Sequence, residues 1–68
     1  MGAAKKIKVR SVEKIRLLIA ENDRQQARRL LDFFNQNGFE ARMTFSGQDA
    51  KQLILNWKPT MVLADLLL

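Results

Sequence analysis

The chain has 68 residues, 12 basic and 7 acidic side chains, and a formal net charge of +5 at pH 7. It contains no cysteine and no histidine, which excludes disulfide bridges, zinc fingers, thiol nucleophiles and catalysis by a histidine base. Apolar burial in a chain this short barely offsets the entropy lost on ordering it, so we expect a partner to contribute to its stability.

The positive charge is concentrated at the N-terminus. Residues 1–16 carry six basic side chains and one acidic side chain, which accounts for the whole net charge of +5. We interpret residues 1–14 as a basic arm that precedes a domain spanning residues 15–68. Basic arms of this kind either bind nucleic acid and other anionic surfaces or serve as solvated leaders. No aromatic residue lies among these lysines to stack on bases.

A strand followed by a helix is predicted first. Residues 15–20 form a short apolar run that ends at the polar residues 21–23, which is typical of a buried strand. The next apolar residues recur at helical spacing and should pack in the core. Asn22 or Asp23 would cap this helix, and Gly38 would end it. The apolar stripe consists of Ala27, Leu30, Leu31 and Phe34.

A second strand, a second helix and a third strand follow. Residues 39–44 alternate apolar and polar side chains, which predicts a strand at the edge of a sheet. Ser46 and Asp49 fit a reciprocal capping box, and Pro59 ends the helix that they begin. Residues 61–64 form the third strand. The second helix has an apolar stripe that should also lie in the core: Ala50, Leu53, Ile54 and Trp57.

The order β-α-β-α-β predicts an α/β fold built from parallel strands. The first and third strands are almost entirely apolar, which is typical of strands covered on both faces, yet two helices are too few to cover them. No run of residues approaches the length of a membrane span or the apolar core of a signal peptide. Together with the absence of cysteine, this leads us to expect a cytoplasmic protein.

Polar residues follow two of the three predicted strands. Glu21 and Asn22 follow the first, and Asp65 follows the third. Ligands of open parallel sheets bind beyond the carboxyl ends of the strands, where these oxygens would suit Mg²⁺ if the strands are neighbours. Such an ion would activate Asp65 as a nucleophile that accepts a phosphoryl group. Alternatively, Asp65 is a turn residue and the other two link strand to helix.

Four segments, in this order and spacing, resemble the receiver domains of two-component response regulators: residues 17–23, 33–39, 45–50 and 58–66. The resemblance covers residues 15–68. It implies a flavodoxin-like fold with parallel strand order 2-1-3 and places Asp65 at the phosphoacceptor position. It also implies that Mg²⁺ is bound by Glu21, Asn22, Asp65 and the backbone carbonyl of Leu67.

Two departures from the family bear on activity. The second position of the acidic pair is Asn22, whose neutral oxygen removes one negative charge from the metal site. The sequence also ends before the fourth and fifth strands, which carry the hydroxyl residue, the aromatic switch and the lysine of the family. We therefore expect a truncated, degenerate receiver module of phosphorelay signalling, with a histidine kinase or another signalling protein as partner. Any chemistry would be limited to accepting a phosphoryl group from a phosphodonor.

In strand order 2-1-3 the third strand is an uncovered edge, which favours pairing with another chain. We expect a homodimer or swapped oligomer through residues 60–68, unless the chain is a piece of a longer receiver. The alternative function is a dimeric adaptor whose basic residues 5–16 bind nucleic acid or another anionic surface. The expected interface residues are Met61, Leu63, Leu66, Leu67 and Leu68.

Overall fold

The computed structural model describes residues 14–64. Most of the basic arm, Asp65, and the interface residues Leu66, Leu67 and Leu68 lie outside the described residues. Five elements alternate in the predicted order, and their ends agree with the sequence patterns to within a residue. They are β1 (Arg16–Ala20), α1 (Arg24–Gln36), β2 (Glu40–Thr44), α2 (Gly47–Trp57) and β3 (Met61–Ala64).

The three strands form one parallel sheet in the order β2-β1-β3, which confirms the expected α/β fold and strand order. Leu17 of β1 lies opposite Ala41 of β2 and Met61 of β3. The edge position predicted for β2 is therefore correct. Residues 17–20 of the central strand are each at most 3% exposed, so β1 forms the centre of the core.

The two helices cover opposite faces of β1, as the alternation of side chains along a strand requires. On one face, Leu17 and Ile19 pack with Ala41 of β2 and with three apolar residues of α1, namely Leu30, Leu31 and Phe34. On the other face, Leu18 packs with Ala50 and Trp57 of α2. The core therefore consists of two thin layers, one on each face of the sheet, and β1 contributes side chains to both.

Both ends of α1 are capped by interactions with residues close in sequence. The Asp23 carboxylate accepts hydrogen bonds from the backbone N–H groups of Gln25 and Gln26, at 3.0 and 3.3 Å. At the other end, the Phe39 N–H donates to the Phe34 carbonyl at 3.0 Å, and the two rings meet edge to face with centroids 5.1 Å apart. Gly38 has a φ of 89°, the left-handed conformation that this type of helix end requires.

The predictions for α2 are partly wrong. The Ser46 hydroxyl accepts a hydrogen bond from the Asp49 N–H at 3.1 Å, as predicted. The reciprocal bond from Asp49 is not formed, because the Ser46 N–H points to the Thr44 hydroxyl at 3.5 Å. Ile54 was expected in the core but is 44% exposed. Within residues 14–64, α2 contacts β1 and β2 but not β3, so its apolar stripe is wider than the surface it covers.

Trp57 joins the end of α2 to the sheet. The residue is 7% exposed, and the centroid of its ring lies 4.7 Å from the Arg42 guanidinium. Its backbone carbonyl accepts a hydrogen bond from Arg16 Nη1 at 2.6 Å. A cation at a helix C-terminus is favourable because the last carbonyls have no partner within the helix. Arg16, one of the basic residues expected to bind an anionic surface, thus has a structural role in β1.

Within the described part of the chain, neither helix is long and apolar enough to cross a membrane.

Replacing two glycines by alanine should change stability in opposite directions. Neither position has an atom within 4 Å of an added Cβ, so the backbone alone decides the effect. Gly38→Ala should lower the free energy of unfolding by about 1–2 kcal/mol because of its positive φ. Gly47→Ala, in the first turn of α2, should raise it by about 0.5–1 kcal/mol.

Urea unfolding followed by the emission of Trp57, the single tryptophan of the chain, measures both changes. Equal effects of the two substitutions would contradict the assignment of a left-handed helix end at Gly38.

Candidate functional site

The carboxyl ends of the three strands lie level at one edge of the sheet. Ala20 of β1 is paired with Thr44 of β2 on one side and with Ala64 of β3 on the other. Strands β1 and β3 are therefore neighbours, as the expected site requires. Glu21 and Asn22 follow Ala20 directly. Asp65 is the residue after Ala64 in the sequence and lies outside the described residues.

Glu21 is half-buried and is held at this edge by two hydrogen bonds. Its backbone N–H donates to the Thr44 carbonyl at 3.1 Å, which extends the pairing of β1 and β2 by one residue. Its side-chain Oε1 accepts from the Asp23 N–H, also at 3.1 Å. This second bond fixes the carboxylate over the turn into α1. Oε2 and the remaining lone pair of Oε1 keep their capacity to accept further bonds or to ligate a cation.

Asn22 and Asp23 have different roles. Asp23 caps α1, so the prediction that either residue could cap the helix is resolved in favour of Asp23. Its negative charge also lies favourably at the positive end of the helix dipole. Asn22 is exposed between the two acidic residues. Its amide oxygen can ligate a hard cation but contributes no charge.

Two of the four residues predicted to bind Mg²⁺ lie within the described part of the chain. Among residues 14–64, no group of three or more histidine, cysteine, aspartate or glutamate side chains is close enough to hold a metal ion. Glu21 and Asn22, the two predicted ligands among the described residues, are consecutive in the turn that follows the carboxyl end of β1. Their carboxylate and amide oxygens are donors that suit Mg²⁺. The other two members, Asp65 and the Leu67 carbonyl, are outside the described residues.

The expected interface strand β3 is exposed along its whole described length. Met61, Val62 and Leu63 are 50%, 47% and 41% exposed, although all three are apolar. Pairing with β1 places Met61 and Leu63 on the face covered by α1 elsewhere, and Val62 on the opposite face. No Cα atom of either helix lies within 8 Å of a Cα atom of this strand. The apolar character of β3 therefore has no explanation within the described residues.

Sequence patterns did not reveal a groove of about 420 Å³ between α1 and the end of β2. Its three arginines are exposed residues of α1. The guanidinium of Arg24 lies 4.4 Å from the centroid of the Phe45 ring, a contact that no local pattern predicts. The groove is lined by Arg24, Gln25, Arg28, Arg29, Met43 and Phe45.

Comparisons of the chain with models of protein families, with curated proteins and with solved structures found no match.

The capping role of Asp23 can be separated from the proposed ligand role of its neighbour. Asp23→Ala should lower the free energy of unfolding by about 1 kcal/mol, because two N–H groups of α1 lose their acceptor. Asp23→Asn should change it by a few tenths at most, since asparagine caps helices about as well. Asn22→Ala is the control and should leave stability unchanged. A loss of stability in Asn22→Ala but not in Asp23→Ala, measured by urea unfolding, would contradict this assignment.

Proposed function

We propose that this chain is a receiver-like module of two-component signalling, in which Asp65 accepts a phosphoryl group. The observation that supports the proposal is the parallel pairing of β1 with β3, with Ala20 opposite Ala64. Because Ala64, the last described residue, lies opposite Ala20, β3 ends beside the point where Glu21 and Asn22 follow β1. This is the arrangement that a shared acidic site requires. The order of elements and the spacing of the four receiver-like segments give further support.

The chemistry follows from the proposed residues. A carboxylate oxygen of Asp65 attacks the phosphorus of a phosphodonor, and the bond between phosphorus and the leaving group breaks as the new P–O bond forms. When bound by Glu21, Asn22, Asp65 and the Leu67 carbonyl, Mg²⁺ would supply positive charge to offset that of the phosphoryl group. Glu21 is already oriented by its bond from the Asp23 N–H.

Asn22 is the residue that limits this chemistry. A second carboxylate at its position would add one negative charge to the cation site without lengthening the side chain. A weaker cation site lowers the stabilisation of the transferring group, because phosphoryl transfer depends mainly on preorganised charge. We infer a slow acceptor whose output is a changed protein surface rather than turnover of a substrate.

Incubation with Mg²⁺ and acetyl phosphate, followed by intact mass measurement, tests the acceptor. The wild-type chain should gain one phosphoryl group, and Asp65→Asn should gain none. Asn22→Asp should gain it faster, because the cation is held more tightly. The absence of any Asp65-dependent gain, in both the wild type and Asn22→Asp, would overturn the proposed chemistry.

We also propose that two copies associate through residues 60–68. The support is the exposed apolar strand β3, whose outer edge has no partner strand among the described residues. Two such edges can pair antiparallel about a two-fold axis, since each copy then presents the same surface to the other. Pairing in this way would satisfy the backbone groups at the outer edge of β3. It would also bring the apolar side chains Met61, Val62 and Leu63 of one copy beside those of the other, which removes part of their surface from water.

Sedimentation equilibrium at low micromolar concentration tests the association. The wild-type chain should be dimeric, and Leu63→Lys should shift it toward monomer because a charge would be buried at the interface. Leu55→Lys is the matched control, since Leu55 is 67% exposed but lies on α2, away from β3. A folded monomer in the wild type, or equal weakening by both substitutions, would contradict pairing through β3.

A further inference from the structure

The groove between α1 and the end of β2 combines positive charge with an apolar floor. Arg24, Arg28 and Arg29 contribute the charge, and the half-buried side chains of Met43 and Phe45 contribute the floor. Arg24 and Arg28 are four residues apart and therefore lie one above the other on the helix surface. The groove lies on the α1 side of the sheet, near the edge strand β2, and shares no residue with the proposed phosphoacceptor site.

The arginines of this groove are available to a ligand. All three are exposed. The acidic residues nearest to these arginines along the chain are Asp23, which caps α1, and Asp32 within it, and both lie outside the groove lining. Arg24 is partly ordered by its stacking on Phe45, at 4.4 Å from the ring centroid. A guanidinium held in place loses less entropy when it pairs with a carboxylate, and the planar fork can bind both carboxylate oxygens.

Charge and shape together indicate the class of ligand. The basic arm of the same chain carries the same sign of charge as the groove and is therefore not a suitable occupant. Single-stranded nucleic acid is bound by grooves that offer open aromatic faces to the bases. Phe45 is the one aromatic residue in the lining of this groove, so successive bases would have no series of rings on which to stack. An apolar floor bordered by guanidinium groups instead fits a peptide that has an apolar side chain between acidic residues.

We propose that this groove binds an acidic peptide segment of a partner protein. An apolar side chain of the peptide lies on Met43 and Phe45, and flanking carboxylates pair with Arg24, Arg28 and Arg29. This interaction requires neither phosphorylation at Asp65 nor pairing of β3. It would give the module a partner surface on the opposite side of β1 from the exposed strand β3.

Fluorescence anisotropy with the full chain tests the proposal. The probe is a fluorescein-labelled peptide in which one leucine is flanked on both sides by glutamates. Arg28→Glu should weaken binding by about tenfold, because it removes one favourable charge pair and adds a repulsive one. Lys51→Glu should weaken binding much less, although it changes the net charge equally. The two residues occupy equivalent positions, each the fifth residue of its helix and each exposed.

The apolar contact and the class of ligand are tested separately. A second probe with serine in place of the leucine should bind more weakly than the first. Emission of Trp57 confirms that both variants are folded, since its ring is buried in the native state. Any of three results would overturn the proposal: no binding of the leucine probe, equal weakening by both substitutions, or tighter Arg28-dependent binding of a labelled oligo-dT strand than of the peptide.

Discussion

Burial of the central strand is the constraint on which the rest of this structure depends. Residues 17–20 of β1 are almost completely shielded from water, and every other element contacts this strand. Leu17 and Ile19 hold α1, while Leu18 holds α2 on the opposite face. Burying side chains of this size contributes about 1.5–3 kcal/mol each, a large share of the stability that a small domain can have. The candidate ligands Glu21 and Asn22 follow this strand directly, so the most deeply buried element of the fold positions them.

The two edge strands of the sheet, β2 and β3, differ in how far their outer sides are protected from pairing with another chain. On the open side of β2, the Ala41 N–H donates to the side-chain oxygen of Asn35 at 2.8 Å, which closes a group that could otherwise pair with another chain. Strand β3 has no comparable protection among the described residues, and its apolar side chains are exposed. The strand that leads to Asp65 is thus also the strand open to association. A second chain paired with β3 would lie close to the carboxyl ends of the strands. The proposed association and the proposed acceptor site would therefore be next to each other.

Most of the fold was predictable because its signals are local. Helix ends were marked by Asp23, Gly38, Ser46 and Pro59, and the change between strand and helix periodicity located each element. The resemblance to receiver domains supplied the strand order that the structure then confirmed. The exposure of Ile54 was not predictable, since it depends on which strands lie under α2. The basic groove was missed for a similar reason, because Arg24 and Phe45 meet only after β2 packs beside α1.

The amino-acid sequence by itself determined the chemical inventory and the local structure of this protein. It excluded histidine and cysteine chemistry, concentrated the net charge in residues 1–16, and specified five alternating elements through periodicity and capping residues. Only the tertiary structure decided which strand ends are level, which apolar residues remain exposed, and which cations share a groove with an aromatic ring. These features depend on contacts between residues far apart in the chain, whereas periodicity and capping act within a few residues.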